Sequence, residues 1–111
     1  MIKEEDVRKY ALSFEQTEEE PQSEKTSFRV DKRIFATLDI KNRQVILKLS
    51  AINQWGLSSL GKNKIYPVDG RMGKQGWTIF EMNKINIDIF RNALIESYCE
   101  VAPQKLAEKY K

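Results

Sequence analysis

The sequence contains no histidine and a single cysteine, Cys99, among its 111 residues. Histidine is the commonest general base and a frequent zinc ligand, so its absence excludes Ser-His and Cys-His nucleophile pairs and most zinc sites. One cysteine cannot form an intramolecular disulfide or a cysteine-based metal cluster, and a lone cysteine beside an apolar stripe is typical of a buried structural thiol. We therefore expect no enzymatic activity, no cofactor and no metal site.

Long apolar runs are also missing. No run approaches the roughly 18 apolar residues that a membrane span needs, so we expect no membrane partner. The first residues, Met1–Asp6, are charged and lack the apolar core of a signal peptide, which predicts a cytoplasmic protein. Residues 1–111 are enough for one domain, and the hydrophobic share of 41% and charged share of 32% are typical of a globular protein.

Charge is unevenly distributed along the chain. Residues 1–24 contain eight acids and three bases, residues 25–84 contain twelve bases and four acids, and residues 85–111 contain four of each. The central segment therefore carries a net charge of +8. An anionic partner would bind there, although solvated lysines on the outer face of a sheet give the same pattern.

Apolar residues alternate with polar ones in the central segment, which predicts strands, and recur at helical spacing elsewhere. The expected strands are Ser27–Val30, Ile34–Ile40, Arg43–Leu49, Ile65–Val68 and Trp77–Met82. The expected helices are Glu4–Ser13, Ala51–Leu60, a long one capped by Asn86 or Asp88 and a final turn at Gln104–Tyr110. The order α-β-β-β-α-β-β-α-α predicts a two-layer α+β domain, with an antiparallel sheet of about five strands and helices packed on one face.

Local features complete this prediction. The acidic stretch Glu15–Glu24, which contains Pro21, is expected to be a loop. The period of two in Ile34–Ile40 places Ile34 inward and Asp39 outward. Lys41-Asn42 is expected to be a two-residue hairpin connection, with the asparagine at positive φ.

Three glycines at every third position, Gly70, Gly73 and Gly76, lead directly into Trp77. Glycine serves where φ is positive or where another group approaches the backbone closely. The block lacks the Gly-Lys-Ser/Thr ending of a phosphate-binding P-loop and leads into a strand, which argues against nucleotide binding. Met72, between two cations, is typical of a minor-groove wedge or of a loop folded back onto its own domain. Trp77 and Trp55 are expected to pack against the domain.

One segment of the sequence is specific, namely Tyr66-Pro67-Val68 followed by the three glycines, Trp77 and Thr78. It occurs together with Glu20-Pro21, Ser27–Val30, Ile34–Leu38, Leu47–Ser50 and Val101–Leu106. In these segments the chain resembles the MmcQ/YjbR-like family of small bacterial proteins. The family usually has an aromatic residue near the middle of the glycine block, where this chain has Met72.

The resemblance implies a compact α+β domain similar to secretion-chaperone-like folds. It also implies a proposed DNA-binding role through a double-wing motif. One wing would be Asp31–Arg33 or Lys41–Arg43, and the other Arg71–Lys74 with Lys62 and Lys64 nearby, because cations at turn tips reach phosphates without reading bases. The candidate contacts to duplex DNA are Arg29, Lys32, Arg33, Lys41, Arg43, Lys62, Lys64, Arg71 and Lys74, with Gly70, Gly73, Gly76 and Trp77 as the structural signature.

Two other functions are compatible with the sequence. A protein-interaction module, including a homodimer, would use a partly apolar outer face of the sheet formed by Ile46, Phe35 and Phe80. An enzyme or small-ligand binder would use a groove between Trp77 and the glycine block, but no nucleophile and base are paired there.

Overall fold

The computed structural model describes residues 2–111, which form six strands, five α-helices and a 3-10 turn. The elements in chain order are α1 (Glu4–Leu12), β1 (Thr17–Gln22), β2 (Lys25–Val30), β3 (Arg33–Asp39), β4 (Gln44–Lys48), α2 (Ala51–Ser58), β5 (Ile65–Pro67), α3 (Arg71–Lys74), β6 (Trp77–Glu81), α4 (Ile87–Val101), α5 (Gln104–Ala107) and the 3-10 turn Glu108–Tyr110. Helix starts follow the capping rules, because Ser50 accepts from the Asn53 amide and Asn86 accepts from the Ile89 amide. The α+β class and the antiparallel sheet are as predicted.

The sheet has six strands in the order β1-β2-β3-β4-β6-β5, with every neighbouring pair antiparallel. The additional strand is β1, and the prediction of a loop at Glu15–Glu24 was therefore wrong. Three consecutive glutamates and Pro21 lower β propensity, but β1 pairs with β2 along its whole length. Charged side chains and proline are common on edge strands because they discourage pairing with another chain.

A β-bulge at Phe35 changes which side chains of β3 face the core. Phe28 pairs with Ala36 and Arg29 pairs with Ile34, which leaves Phe35 without an opposite residue. Phe35 and Ala36 are consequently both buried, and Ile34 is turned outward. The predictions that Ile34 faces inward and that Phe35 lies on the outer face were wrong, because the strict period of two does not hold across a bulge.

Ser97 of α4 bridges β3 and β4 beside the bulge, one residue beyond their last ladder pair, Ala36 and Leu47. Its hydroxyl donates to the Phe35 carbonyl at 2.6 Å and accepts from the Lys48 amide at 3.1 Å. Ser97 is fully buried, so neither backbone group has water as an alternative partner. One side chain of α4 thus joins β3 to β4 at the bulge.

The connection from β3 to β4 also differs from the prediction. It contains four residues, since Asp39 pairs with Gln44, and its positive φ of 53° lies at Arg43 instead of Asn42. Asn42 bonds the Asp39 carboxylate through its backbone amide and its side chain, at 3.2 and 2.9 Å. Asp39 is buried by this contact instead of pointing into solvent.

The core lies between the sheet and the helices on its inner face. Tyr98 of α4 is fully buried, stacks on Phe14 at 4.6 Å between ring centroids and meets Phe35 edge-on at 5.5 Å. Its hydroxyl donates to the Glu15 carbonyl at 2.6 Å, which satisfies the polar end of a buried tyrosine. Phe80 is buried in the same core and does not reach the outer face. Among residues 2–111 no helix is both long enough and apolar enough to cross a membrane.

We expect Ser97→Ala to lower the free energy of unfolding by about 2–4 kcal/mol, because it leaves a buried carbonyl and an amide without partners. Urea unfolding followed by circular dichroism measures the loss. Ser59→Ala is the control, since the Ser59 hydroxyl bonds only the exposed Gly56 carbonyl of its own helix, and it should change stability by less than about 0.5 kcal/mol. Equal effects of the two substitutions would contradict the role given to Ser97.

Candidate nucleic-acid interface

The strand topology separates the basic residues into two groups at opposite ends of the sheet. The β2–β3 turn adjoins Val30 and Arg33, and Lys48 and Trp77 are paired at this same end. Its cations, here called the Lys48 end, are Lys32, Arg33, Lys48, Arg71 and Lys74. The β3–β4 turn lies at the other end, where Gln44 pairs with Glu81. Its cations, the Arg43 end, are Lys41, Arg43, Lys62 and Lys64.

Lys62 and Lys64 do not lie beside the glycine block as the sequence suggested. The Lys64 carbonyl accepts from the Glu81 amide at 2.9 Å, which places it where β6 ends, whereas Arg71–Lys74 lies where β6 begins. β5 runs between these two positions, so the two basic segments face opposite ends of the sheet. Of the two turns considered for the first wing, only Asp31–Arg33 shares an end with Arg71–Lys74.

Arg29 is different from the other candidate cations because it is engaged by an acid. Its guanidinium forms an ion pair with Glu20 across the β1–β2 pair on the outer face. The remaining eight candidate cations form no ion pair with any acid of residues 2–111. They are therefore available to an anionic ligand, and Arg29 is not.

The β2–β3 turn holds Lys32 in a conformation that lysine rarely adopts. Asp31 and Lys32 form the two-residue connection with φ of 52° and 66°. Such turns favour Asn-Gly or Asp-Gly because both central residues need positive φ, and a side chain there costs about 1 kcal/mol. Lys32 occupies a position where glycine would be more stable, and its positive charge lies at the tip of the β2–β3 turn.

The glycine block holds Arg71 and Lys74 in place through close backbone contacts. Residues Arg71–Lys74 form one helical turn, α3, where the sequence predicted a basic loop. A Cβ on Gly73 would lie 1.8 Å from the Val68 carbonyl oxygen, and a Cβ on Gly76 would lie 2.0 Å from that of Leu49. Gly76 also has φ of 105°, so any side chain there is strained as well as excluded.

Lys48 lies between the β2–β3 turn and α3 at this end of the sheet, and the sequence analysis did not identify it as a site residue. Its ammonium group donates to the Gln75 carbonyl and lies 5.7 Å from the centroid of the Trp77 ring. Lys48 ends β4, which lies between β3 and β6. Its outward position in a predicted strand was visible, but the strand order that places it between the β2–β3 turn and α3 was not.

Trp55 does not pack against the domain as expected. Its side chain is 78% exposed, and Ile52 one turn earlier is 81% exposed. Met72 of α3 is 49% exposed, so the glycine block does not fold its apolar residue back into the core. Gln54 donates to the Gly73 carbonyl at 2.9 Å, which brings α2 and α3 together.

The outer face of the sheet is polar around a tyrosine. Tyr66 donates to the Glu81 carboxylate, and Gln44 donates to the same carboxylate at 2.9 Å. The hydrogen bond to Glu81 and burial raise the pKa of Tyr66 to about 12, so its hydroxyl stays a neutral donor at neutral pH. Ile46 and Ile79 pair beside this network and are half-buried.

A cavity of about 320 Å³ lies between α2, α4 and the C-terminal residues, away from Trp77, and is lined in part by Glu96 and Cys99. Burial raises the pKa of the Glu96 carboxyl and of the Cys99 thiol. The thiol is thereby kept protonated, which is typical of an unreactive structural cysteine. Nowhere in residues 2–111 do three acidic or cysteine side chains gather as a metal site requires.

Comparison with known proteins identifies the fold. No protein-family model matches the sequence, and no curated protein matches it. Among solved structures, the chain is similar to the crystal structure of Deinococcus radiodurans protein DR2400, described as a DUF419 domain, with a TM-score of 0.81 and 19% identity. The alignment covers 99% of this chain and 88% of that one. At this level of identity the likeness shows the shared fold alone.

We expect Gly76→Ala to lower the free energy of unfolding by about 3 kcal/mol or more, because the backbone must move away from Leu49 and adopt a strained φ. Chemical denaturation of the purified variant measures this. Gly56→Ala is the matched control, since a Cβ there meets nothing within 4 Å and lies in the interior of α2. It should stabilise the protein by about 0.5–1 kcal/mol. A Gly76→Ala variant as stable as the parent would show that the block is not held by this contact.

Proposed function

We propose that this protein is a non-catalytic, cytoplasmic DNA-binding protein that contacts duplex phosphates through the Lys48 end. The observation that carries the proposal is the placement of two basic tips at one end of one rigid sheet. The β2–β3 turn supplies Lys32 and Arg33, and α3 supplies Arg71 and Lys74. We also propose membership of the MmcQ/YjbR-like family, which the sequence resemblance and the α+β fold support.

The spacing of the two tips supports this function. Three strand-to-strand steps separate the middle of the β2–β3 hairpin from the middle of the β5–β6 hairpin in the sheet order. At about 4.8 Å per step, the tips lie about 14 Å apart. The major groove of B-DNA is about 12 Å wide, so the two tips can reach phosphates on either side of one groove. Lys48 lies between them and faces the same ligand.

The charge balance at this end supports an anionic ligand. Five cations lie there, and the acids nearest to them in sequence are Asp31 and Asp69. Between residues 40 and 80 the chain has seven cations and only one acid, Asp69. Backbone phosphates are bound mainly by such unpaired lysines and arginines, and the contacts carry little base specificity.

Duplex affinity should fall steeply with salt. If about five phosphates are neutralised, log K falls with log salt at a slope near −4.5, which is about 500-fold between 50 and 200 mM. Fluorescence anisotropy of a labelled 20-base-pair duplex measures the slope. Undetectable binding at 50 mM salt would overturn the proposed function.

A matched pair of glycine substitutions locates the contact. Lys32 and Arg43 both lie at positive φ, with φ of 66° and 53°, but at opposite ends of the sheet. Glycine relieves backbone strain at each position while it removes one charge, so lost binding cannot be attributed to unfolding. Lys32→Gly should weaken binding and reduce the salt slope by about 0.9, and Arg43→Gly should leave both nearly unchanged. The reverse result would move the interface to the Arg43 end.

A second candidate function is self-association through the outer face of the sheet. Phe35 and Phe80 are in the core, but the paired residues Ile46 and Ile79 lie on the face away from the helices. We expect sedimentation equilibrium to show a dimer that Ile79→Lys dissociates, because a buried lysine at the interface would be desolvated without a partner. Ile52→Lys, on α2, is the control and should leave the dimer intact. A monomer at all concentrations would exclude this function.

A further inference from the structure

We propose that Ile52, Trp55 and Met72, here called the Trp55 face, hold an unpaired base next to duplex DNA bound at the Lys48 end. This inference rests on the proposed function and adds a substrate class to it, which is DNA with an unpaired stretch beside a duplex. It starts from the most exposed large hydrophobic side chains of residues 2–111, because Ile52 and Trp55 are 81% and 78% exposed.

Helix α2, which carries Ile52 and Trp55, contacts α3, which carries Met72 and the cations on either side of it. Gln54 fixes the position of α2 there, since its side chain donates to the Gly73 carbonyl at 2.9 Å and to the Thr78 hydroxyl at 3.0 Å. Successive residues of a helix are rotated by about 100°, so Trp55 projects about 200° from Asn53. Asn53 lines the cavity against α4. Trp55 therefore projects on the side of α2 away from α4, about 100° around the helix axis from Gln54, whose side chain contacts α3.

The charges around this face favour an anionic ligand. α2 contains no charged residue, and residues 51–68 contain no acid. Met72 stands between Arg71 and Gly73, and Lys74 follows at the end of the same helical turn. An apolar side chain flanked by two unpaired cations offers contacts to a base and to its phosphates together.

The shape of the face favours a base over an apolar peptide or a membrane. Trp55 and Ile52 project from a single helix with about four-fifths of each side chain exposed, whereas an amphipathic peptide docks into a groove. Helices that lie in a membrane surface have one long apolar face, and α2 has eight residues. A projecting tryptophan stacks on bases, and Ile and Met side chains are used as wedges between them. Bases inside a duplex are already stacked, so the ligand must contain an unpaired base.

The experiment uses Trp77→Phe, in which Trp55 is the sole tryptophan of the full chain. The probes are a blunt 20-base-pair duplex and the same duplex with a five-thymidine 3′ overhang, at equal salt. We expect the overhang to raise affinity about tenfold, within the range of one stacked base, and to quench Trp55 emission. In the native chain, Trp55→Ala should equalise the two affinities, Trp55→Phe should keep most of the difference, and Gly56→Ala should keep all of it.

The outcomes separate this inference from the proposed function. If both probes bind equally with a salt slope near −4.5 and Trp55 is not quenched, duplex binding stands and the inference is wrong. If neither probe binds at 50 mM salt, the proposed function fails and the inference fails with it. If vesicles with phosphatidylglycerol shift Trp55 emission to shorter wavelength and the overhang does not, the face binds a membrane, which also overturns the inference.

Discussion

The close approach of Gly76 to Leu49 is the constraint on which the candidate interface depends. The Leu49 amide donates to the Gly76 carbonyl at 2.9 Å, and no side chain fits at Gly76 because the Leu49 oxygen would lie 2.0 Å from its Cβ. This contact joins the end of β4 and the start of α2 to the end of the glycine block. Lys48 immediately precedes Leu49, α2 begins two residues after it, and α3 ends two residues before Gly76, so this one backbone contact lies next to all three.

The bulge at Phe35 affects the position of the other basic tip, which is the β2–β3 turn that carries Lys32. By inserting an unpaired residue, it turns Ile34 outward and carries Phe35 into the core beside Tyr98. Bulges increase the local twist of a strand pair. The burial of Phe35 in the core therefore influences the direction in which the β2–β3 hairpin projects. Ser97 fixes the backbone of the bulged residue, because its hydroxyl donates to the Phe35 carbonyl and accepts from the Lys48 amide of the neighbouring strand. The position of Lys32 thus depends on a residue of α4, far away in the sequence.

The sequence predicts the class of the fold well, because alternation in β4 and helical spacing in α4 both reflect burial on one face. It misses β1, where local propensity opposes strand formation and pairing with β2 decides the outcome. It also misses the burial of Phe35, because the alternation of apolar and polar residues does not reveal where a bulge occurs. The basic residues can be identified from the sequence. Which of them lie at the Lys48 end and which at the Arg43 end depends on the strand order, which brings distant segments together and cannot be inferred from local sequence.

Local features that cost stability occur at the Lys48 end and on the neighbouring helix α2. Lys32 lies at positive φ, Trp55 is mostly exposed, and Gly56 weakens α2 although a Cβ would meet nothing there. Arg43 is strained in the same way at the opposite end, but its guanidinium bonds Asn83 at 3.1 Å, which offsets part of the cost. Lys32 is given no such bond by any side chain of residues 2–111. Residues that lower local stability without a compensating contact are typical of ligand-binding surfaces. A bound phosphate would supply the partner that the Lys32 side chain lacks.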